Sequence, residues 1–134
     1  MLRRIATFLA IAIVPLWCHG MQQRWELTVQ VGQVVYPPGA TATAQIDLSA
    51  PVAADESLVL KSHLEFGLTQ RLQLPTVRVL NKDLTEPLRI PFTAPPNAWG
   101  CALIVRVFHK EVLRAQTRDV FAVGTDHFRL GQQN

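Results

Sequence analysis

Cys101, His63, His109 and His127 are the side chains best suited to nucleophilic, acid–base or metal chemistry once residues 1–20 are set aside. A reactive thiol needs access to solvent and a neighbour that stabilises the thiolate. Cys101 shares strand parity with Leu103, Val105 and Val107, so it reads as a small buried hydrophobe. The three histidines are too scattered for a spaced metal motif. His63 falls on an outward strand position and His109 in a turn, where surface histidines are ordinary. Paired carboxylates could support glycoside hydrolysis, with Asp47, Glu65, Asp119 and Asp126 as candidates. Asp47 and Glu65 occupy outward strand positions, and Asp126 lies in a loop. Asp119 shares parity with Phe121 and calls for a partner such as Arg118 or Arg106. The sequence holds no Gly-rich phosphate loop and no Gly-x-Ser-x-Gly elbow. The expectation is a protein without catalytic residues, metal or cofactor.

Binding is the other chemistry to seek. Trp25, Tyr36 and Trp99 could stack on sugar faces, but each also falls where a β-sandwich needs a core plug or a turn anchor. Trp25 and Trp99 are expected in the core. Tyr36, with a polar tip, is the candidate contact residue, together with Phe128 and Leu130 in the C-terminal tail.

Charge narrows the partners. The chain has 134 residues with 13 Lys plus Arg against 10 Asp plus Glu, a formal charge of +3. Arg3 and Arg4 precede an apolar run from Ile5 to Trp17, shorter than the ~20 residues that span a bilayer. The pattern is that of a helical secretory signal peptide, with cleavage expected after Gly20. Cys18 as a lipidation site is the alternative, disfavoured by Trp17 before it; retention as an anchor is another. Loss of Arg3 and Arg4 lowers the formal charge from +3 to +1. No basic patch then stands out along the sequence, since Arg114, Arg118 and Arg129 are loosely spaced. A nucleic-acid partner is not expected, nor a membrane after cleavage. Only Cys101 survives cleavage, so no internal disulfide can form and the domain must rest on its core.

The elements that would position these residues are strands. Trp25, Leu27, Val29 and Val31 alternate with polar residues until Gly32, after which Val34-Val35-Tyr36 resumes. This broken first strand is suited to switching between sheets. Tyr36-Pro37-Pro38-Gly39 is a turn. Ala40 to Leu48 alternates again, as do Leu58 to Phe66 and Leu88 to Phe92. Pro75 breaks an edge strand between Leu72 and Val79. The hairpin from Trp99 to Val123 contains a first strand apolar on both faces, which belongs inside a sheet. Ser62 lies on the apolar side of its strand and would need a partner if buried. The pattern predicts an all-β fold: an antiparallel two-sheet sandwich of immunoglobulin or fibronectin III kind, with about seven strands. Domain boundaries are residues 1–20 for the signal peptide, 21–124 for the sandwich and 125–134 for a tail or the start of a following domain.

Two stretches carry a closer resemblance. Val35-Tyr36-Pro37-Pro38-Gly39-Ala40 resembles the Tyr-x-Pro-Gly opening of macroglobulin-like and related bacterial Ig-like modules. Trp99-Gly100, a strand, and then Arg118-Asp119-Val120-Phe121-Ala122-Val123-Gly124 resemble the close of Ig-like modules that precede large secreted bacterial hydrolases, glycoside hydrolases among them. The resemblance implies a non-catalytic accessory or interaction module, secreted or periplasmic, whose partner is an adjacent or separate protein domain, or which forms the N-terminal part of a larger hydrolase. A free-standing module binding carbohydrate or protein is the alternative reading, and a small exported enzyme the second alternative.

Overall fold

The structure, a computed structural model, describes residues 24–96 and 100–124. The expected signal peptide, Trp99, His127, Phe128, Leu130 and the tail lie outside the described residues. Nine strands form among the described residues: β1 (Glu26–Gln30), β2 (Val35–Tyr36), β3 (Thr41–Ser49), β4 (Ser57–Phe66), β5 (Gln70–Gln73), β6 (Val77–Leu80), β7 (Leu88–Thr93), β8 (Gly100–His109) and β9 (Val112–Val123). They make two sheets, ordered β1-β3-β7 and β2-β9-β8-β4-β5, with β6 also paired to β4. Besides the strands, the described residues hold one short 3-10 turn, Asn81–Asp83.

The count exceeds the expected seven because two strands are each split. Gly32 divides the first, so β1 pairs with β3 in one sheet and β2 with β9 in the other. Pro75, which has no N–H for a ladder, separates β5 from β6, and both pair with β4. The sheets are not wholly antiparallel as expected: β2 runs parallel to β9. A strand that crosses between sheets and continues in the same direction can meet its new neighbour in that sense.

Alternation fills the space between the sheets. Ala44 and Ile46 of β3, Leu60 and Leu64 of β4, and Leu103, Val105 and Val107 of β8 are fully buried. Each of these leucine, isoleucine and valine side chains removed from water stabilises by about 1.5–3 kcal/mol, and Ala44 by less. β8 lies between β4 and β9 and is buried on both faces, with Ala102 and Ile104 covered on its outer side. Tyr36, Phe92 and Phe121 form an aromatic cluster, the Tyr36 ring meeting the other two edge-on at 6.0 and 5.7 Å. Gly39, at φ +76°, closes the Pro37–Ala40 turn, in which the Ala40 N–H donates to the Pro37 carbonyl at 3.1 Å.

The crossing between β1 and β2 exposes polar backbone to the core, and two side chains satisfy it. The Val31 N–H donates to Asp119 Oδ2 at 3.0 Å, and the Tyr36 hydroxyl donates to the Val31 carbonyl. Gly32 sits at φ +94°, and a Cβ there would lie 3.2 Å from the Tyr36 hydroxyl oxygen. The crossing is thus a small clasp that ties both sheets at one residue, Val31.

Candidate functional site

The residues singled out by chemistry do not converge. Cys101 is buried, and burial pushes its thiol up from the ordinary range. Ser62 is buried in the core, and its hydroxyl has no hydrogen-bond partner among the described residues. His63 and His109 are not surface histidines as expected: they are 3% and 8% exposed. His63 lies on β4, between Gln73 of β5 and Ile104 of β8, its register partners on either side. Its Nε2–H donates to Glu65 Oε2 at 3.0 Å, since an ionised carboxylate can only accept. His109 ends β8 rather than lying in the turn. It bonds to Glu56 and packs beside Trp25, with ring centroids 5.9 Å apart. The turn is Lys110-Glu111, both at positive φ, the two-residue geometry that normally favours Asn-Gly.

Hydrogen bonds from the histidines hold both partner carboxyls below the ordinary glutamate range. His63 does so for Glu65, with Arg71 adding attraction, and His109 for Glu56, with Lys110 adding attraction. Asp119 does not take Arg118 or Arg106 as partner; it accepts from the Val31 and Val120 backbone. Tyr36, the expected contact residue, is 6% exposed and its polar tip is spent inside the clasp. Among the described residues no group of three or more His, Cys, Asp and Glu side chains could hold a metal ion.

What does converge is positive charge. The strand registers put Lys61 of β4 directly opposite Arg106 of β8, on the outward face of the six-stranded sheet. Gln116 of β9 lies opposite Arg106 on its other side and accepts from Arg106 Nε at 2.9 Å, which places Arg118 one diagonal step away. On β6, Arg78 pairs with Val59 and is diagonal to Lys61. Four cations therefore run across four adjacent strands. Arg71 of β5 stands beside them, its Nη2 donating to Glu65 at 2.9 Å. Lys61 Nζ also lies 5.1 Å from the centre of the Phe108 ring. Among the described residues no carboxylate comes within 4.0 Å of Lys61, Arg78, Arg106 or Arg118. Positions far apart in sequence hide this concentration until the strands are paired.

One end of this face opens into a cleft of about 620 Å³ where the β4–β5 turn meets the start of β8 and the end of β9. Its rim carries Arg71, Arg118 and Glu65 beside exposed Leu68, Val34 and Val120. Leu68 is fully exposed and Val34 is 79% exposed.

No family model matches the sequence. No curated protein matches it significantly. Among solved structures, the chain is similar to the Pseudomonas fluorescens alkylpurine DNA glycosylase AlkC bound to DNA containing an abasic site analog, at 13% identity and a TM-score of 0.47, covering 82% of this chain and 33% of that one. It is also similar to Spo0M, a sporulation control protein from Bacillus subtilis, at 10% identity and a TM-score of 0.46, covering 76% of this chain and 50% of that one. The chain thus spans a third to a half of the proteins it resembles in shape. At this level of similarity neither informs the function of this one.

Proposed function

We propose that the protein is a non-catalytic, exported β-sandwich of Ig-like type that serves as an interaction module, with the outward face of the six-stranded sheet as its binding surface. The strand order supports the Ig-like reading: β1-β3-β7 takes the places of A, B and E, and β4-β8-β9 those of C, F and G. Export rests on Arg3 and Arg4 before the Ile5–Trp17 apolar run. The accessory role follows the resemblance to modules that stand beside secreted hydrolase domains. Cys101 and Ser62 face the interior, and each described histidine is committed to a glutamate, which favours a structural use of those groups over turnover.

The carrying observation is Lys61 opposite Arg106 with no carboxylate between them. Like charges facing each other across a ladder destabilise a sheet, so stability does not account for their placement. A bound partner that neutralises them does. A protein partner fits better than a neutral glycan, because none of the six aromatic residues described is exposed: Phe66 and Phe108 are half-buried, and the Phe108 ring has Lys61 over it.

Face-specific photocross-linking in the native host tests this reading. A benzoylphenylalanine at Gln116 reports on the six-stranded face and one at Thr43 on the three-stranded face. An adduct at Gln116 that disappears on Arg106→Glu, with none at Thr43, is expected. Equal adducts at both positions, or none at Gln116, would contradict it.

A further inference from the structure

The geometry points to an acidic, partly apolar, extended polypeptide segment as the occupant of the Arg78–Lys61–Arg106–Arg118 row and the cleft at its end. This rests on the interaction-module reading and names its partner's chemistry. Three observations carry it. First, the row is complementary in charge to an acidic segment: among the described residues no carboxylate comes within 4.0 Å of its four cations, so an anionic chain laid along it gains attraction without displacing an existing ion pair. Second, the dimensions suit an extended chain. Arg78 to Arg118 crosses three inter-strand spacings and shifts four residues along the strands, a diagonal of about 20 Å, which about six extended residues cover at roughly 3.3 Å each. Third, the cleft mixes signals. Leu68, Val34 and Val120 project apolar surface beside Arg71 and Arg118. A polyanion of uniform charge has nothing to place on Leu68. A peptide that carries aliphatic side chains among its carboxylates has both.

Nucleic acid and sulfated polysaccharide share the charge but not the apolar part. Single-stranded nucleic acid also calls for exposed rings on which bases stack, and the described aromatics are buried or half-buried. A second copy of this chain would have to offer its own acidic surface. Its outward three-stranded face mixes Glu26 and Asp47 with Arg24 and Arg89, and Glu26 already pairs with Arg24 at 3.4 Å. That surface is a weaker complement than a dedicated acidic segment.

Fluorescence anisotropy on the full chain tests the assignment. The probe is a labelled peptide of two Glu-Leu-Glu-Ser repeats. Competitors are an all-glutamate peptide of equal length, heparin and oligothymidylate. The expected result is saturable binding that weakens with salt. Arg106→Glu and Arg118→Glu should each weaken it about tenfold, in line with the loss of several exposed charge contacts plus new repulsion. Leu68→Ser should weaken it several-fold, while Arg89→Glu on the opposite sheet leaves it unchanged. The milder Arg106→Gln, checked for an unaltered circular dichroism spectrum, should weaken binding in the same direction by a smaller factor. Three results would overturn the assignment: no saturable binding of the Glu-Leu peptide; heparin or oligothymidylate binding more tightly with no response to Leu68→Ser; or self-association of the chain that Arg106→Glu abolishes. If cross-links at Gln116 remain face-specific while the peptide fails to bind, the module stands and the peptide assignment falls. If the cross-links also fail, the module reading itself is lost.

Discussion

The two outward faces follow the same alternation and carry opposite kinds of surface. On the three-stranded sheet, outward positions hold Thr28, Gln30, Thr41, Thr43, Gln45 and Thr93, with Glu26 and Asp47 balancing Arg89. Arg89 stands opposite neutral Gln45 and diagonal to Asp47. On the six-stranded sheet, Arg78, Lys61, Arg106 and Arg118 stand next to one another, and the one carboxylate of the face, Glu65, is held by His63 and Arg71. Burial of the inner faces does not distinguish the sheets. One face balances its charges among neutral polar residues and the other gathers cations without carboxylate partners, and the proposed partner surface rests on that difference.

The Val31 clasp joins the two sheets, and its two hydrogen bonds can be removed one at a time. Tyr36→Phe leaves the Val31 carbonyl without its donor inside the fold. Asp119→Ala does the same to the Val31 N–H. Each should cost about 1–3 kcal/mol, the cost of orphaning a buried polar group. Urea unfolding should show a lower midpoint at unchanged slope. A wild-type midpoint for both variants would mean that the crossing is held by apolar packing alone.

Smaller effects of opposite sign sharpen the contrast between the faces. Arg106→Gln removes a like-charge pair and should raise stability by roughly 0.2–1 kcal/mol. Arg89→Gln removes a cation with a neutral partner and a nearby carboxylate, and should be neutral or slightly destabilising. Added salt should narrow the gap between Arg106→Gln and the wild type, since screening weakens the same repulsion. Ser62→Ala, which deletes a buried hydroxyl without a partner, should also stabilise, by up to about 1 kcal/mol. Thermal melts of these three variants check all of these signs.

The smallest expected effect is in acid. The folded Glu65 carboxyl lies below its unfolded value because His63 donates to it and Arg71 is near. Its contribution is therefore complete above the ordinary glutamate pKa and disappears as pH falls through the lower folded value. Glu65→Gln should lack that part of the acid-limb decline in melting temperature. An identical acid limb in the variant would show that the pair is too solvated to matter.

The strands were legible in the sequence because a period of two survives in Trp25–Val31, Ala40–Leu48 and Leu58–Phe66. Gly32 and Pro75 mark the two breaks, whereas Ser62, expected to need a partner once buried, has none among the described residues. What escaped was everything decided by neighbours in space. His63 has outward parity but is buried, on a central strand paired on both sides, with Gln73 and Ile104. His109 was misplaced into the turn because Lys-Glu is an unusual pair for two left-handed residues. Asp119 took a backbone partner on the first strand, far away in sequence. The cation row needs four registers at once, and each of its members, met singly, resembles an ordinary solvated strand residue.

On the proposed function, the six-stranded face keeps its positive charges at the expense of stability because a partner uses them. Stability and binding are best measured together on one protein, Lys61→Gln combined with Arg106→Gln, in one low-salt buffer. A higher unfolding midpoint than the wild type together with weaker binding of the Glu-Leu-Glu-Ser peptide is expected. A variant that is less stable yet binds the peptide as well as the wild type would contradict it.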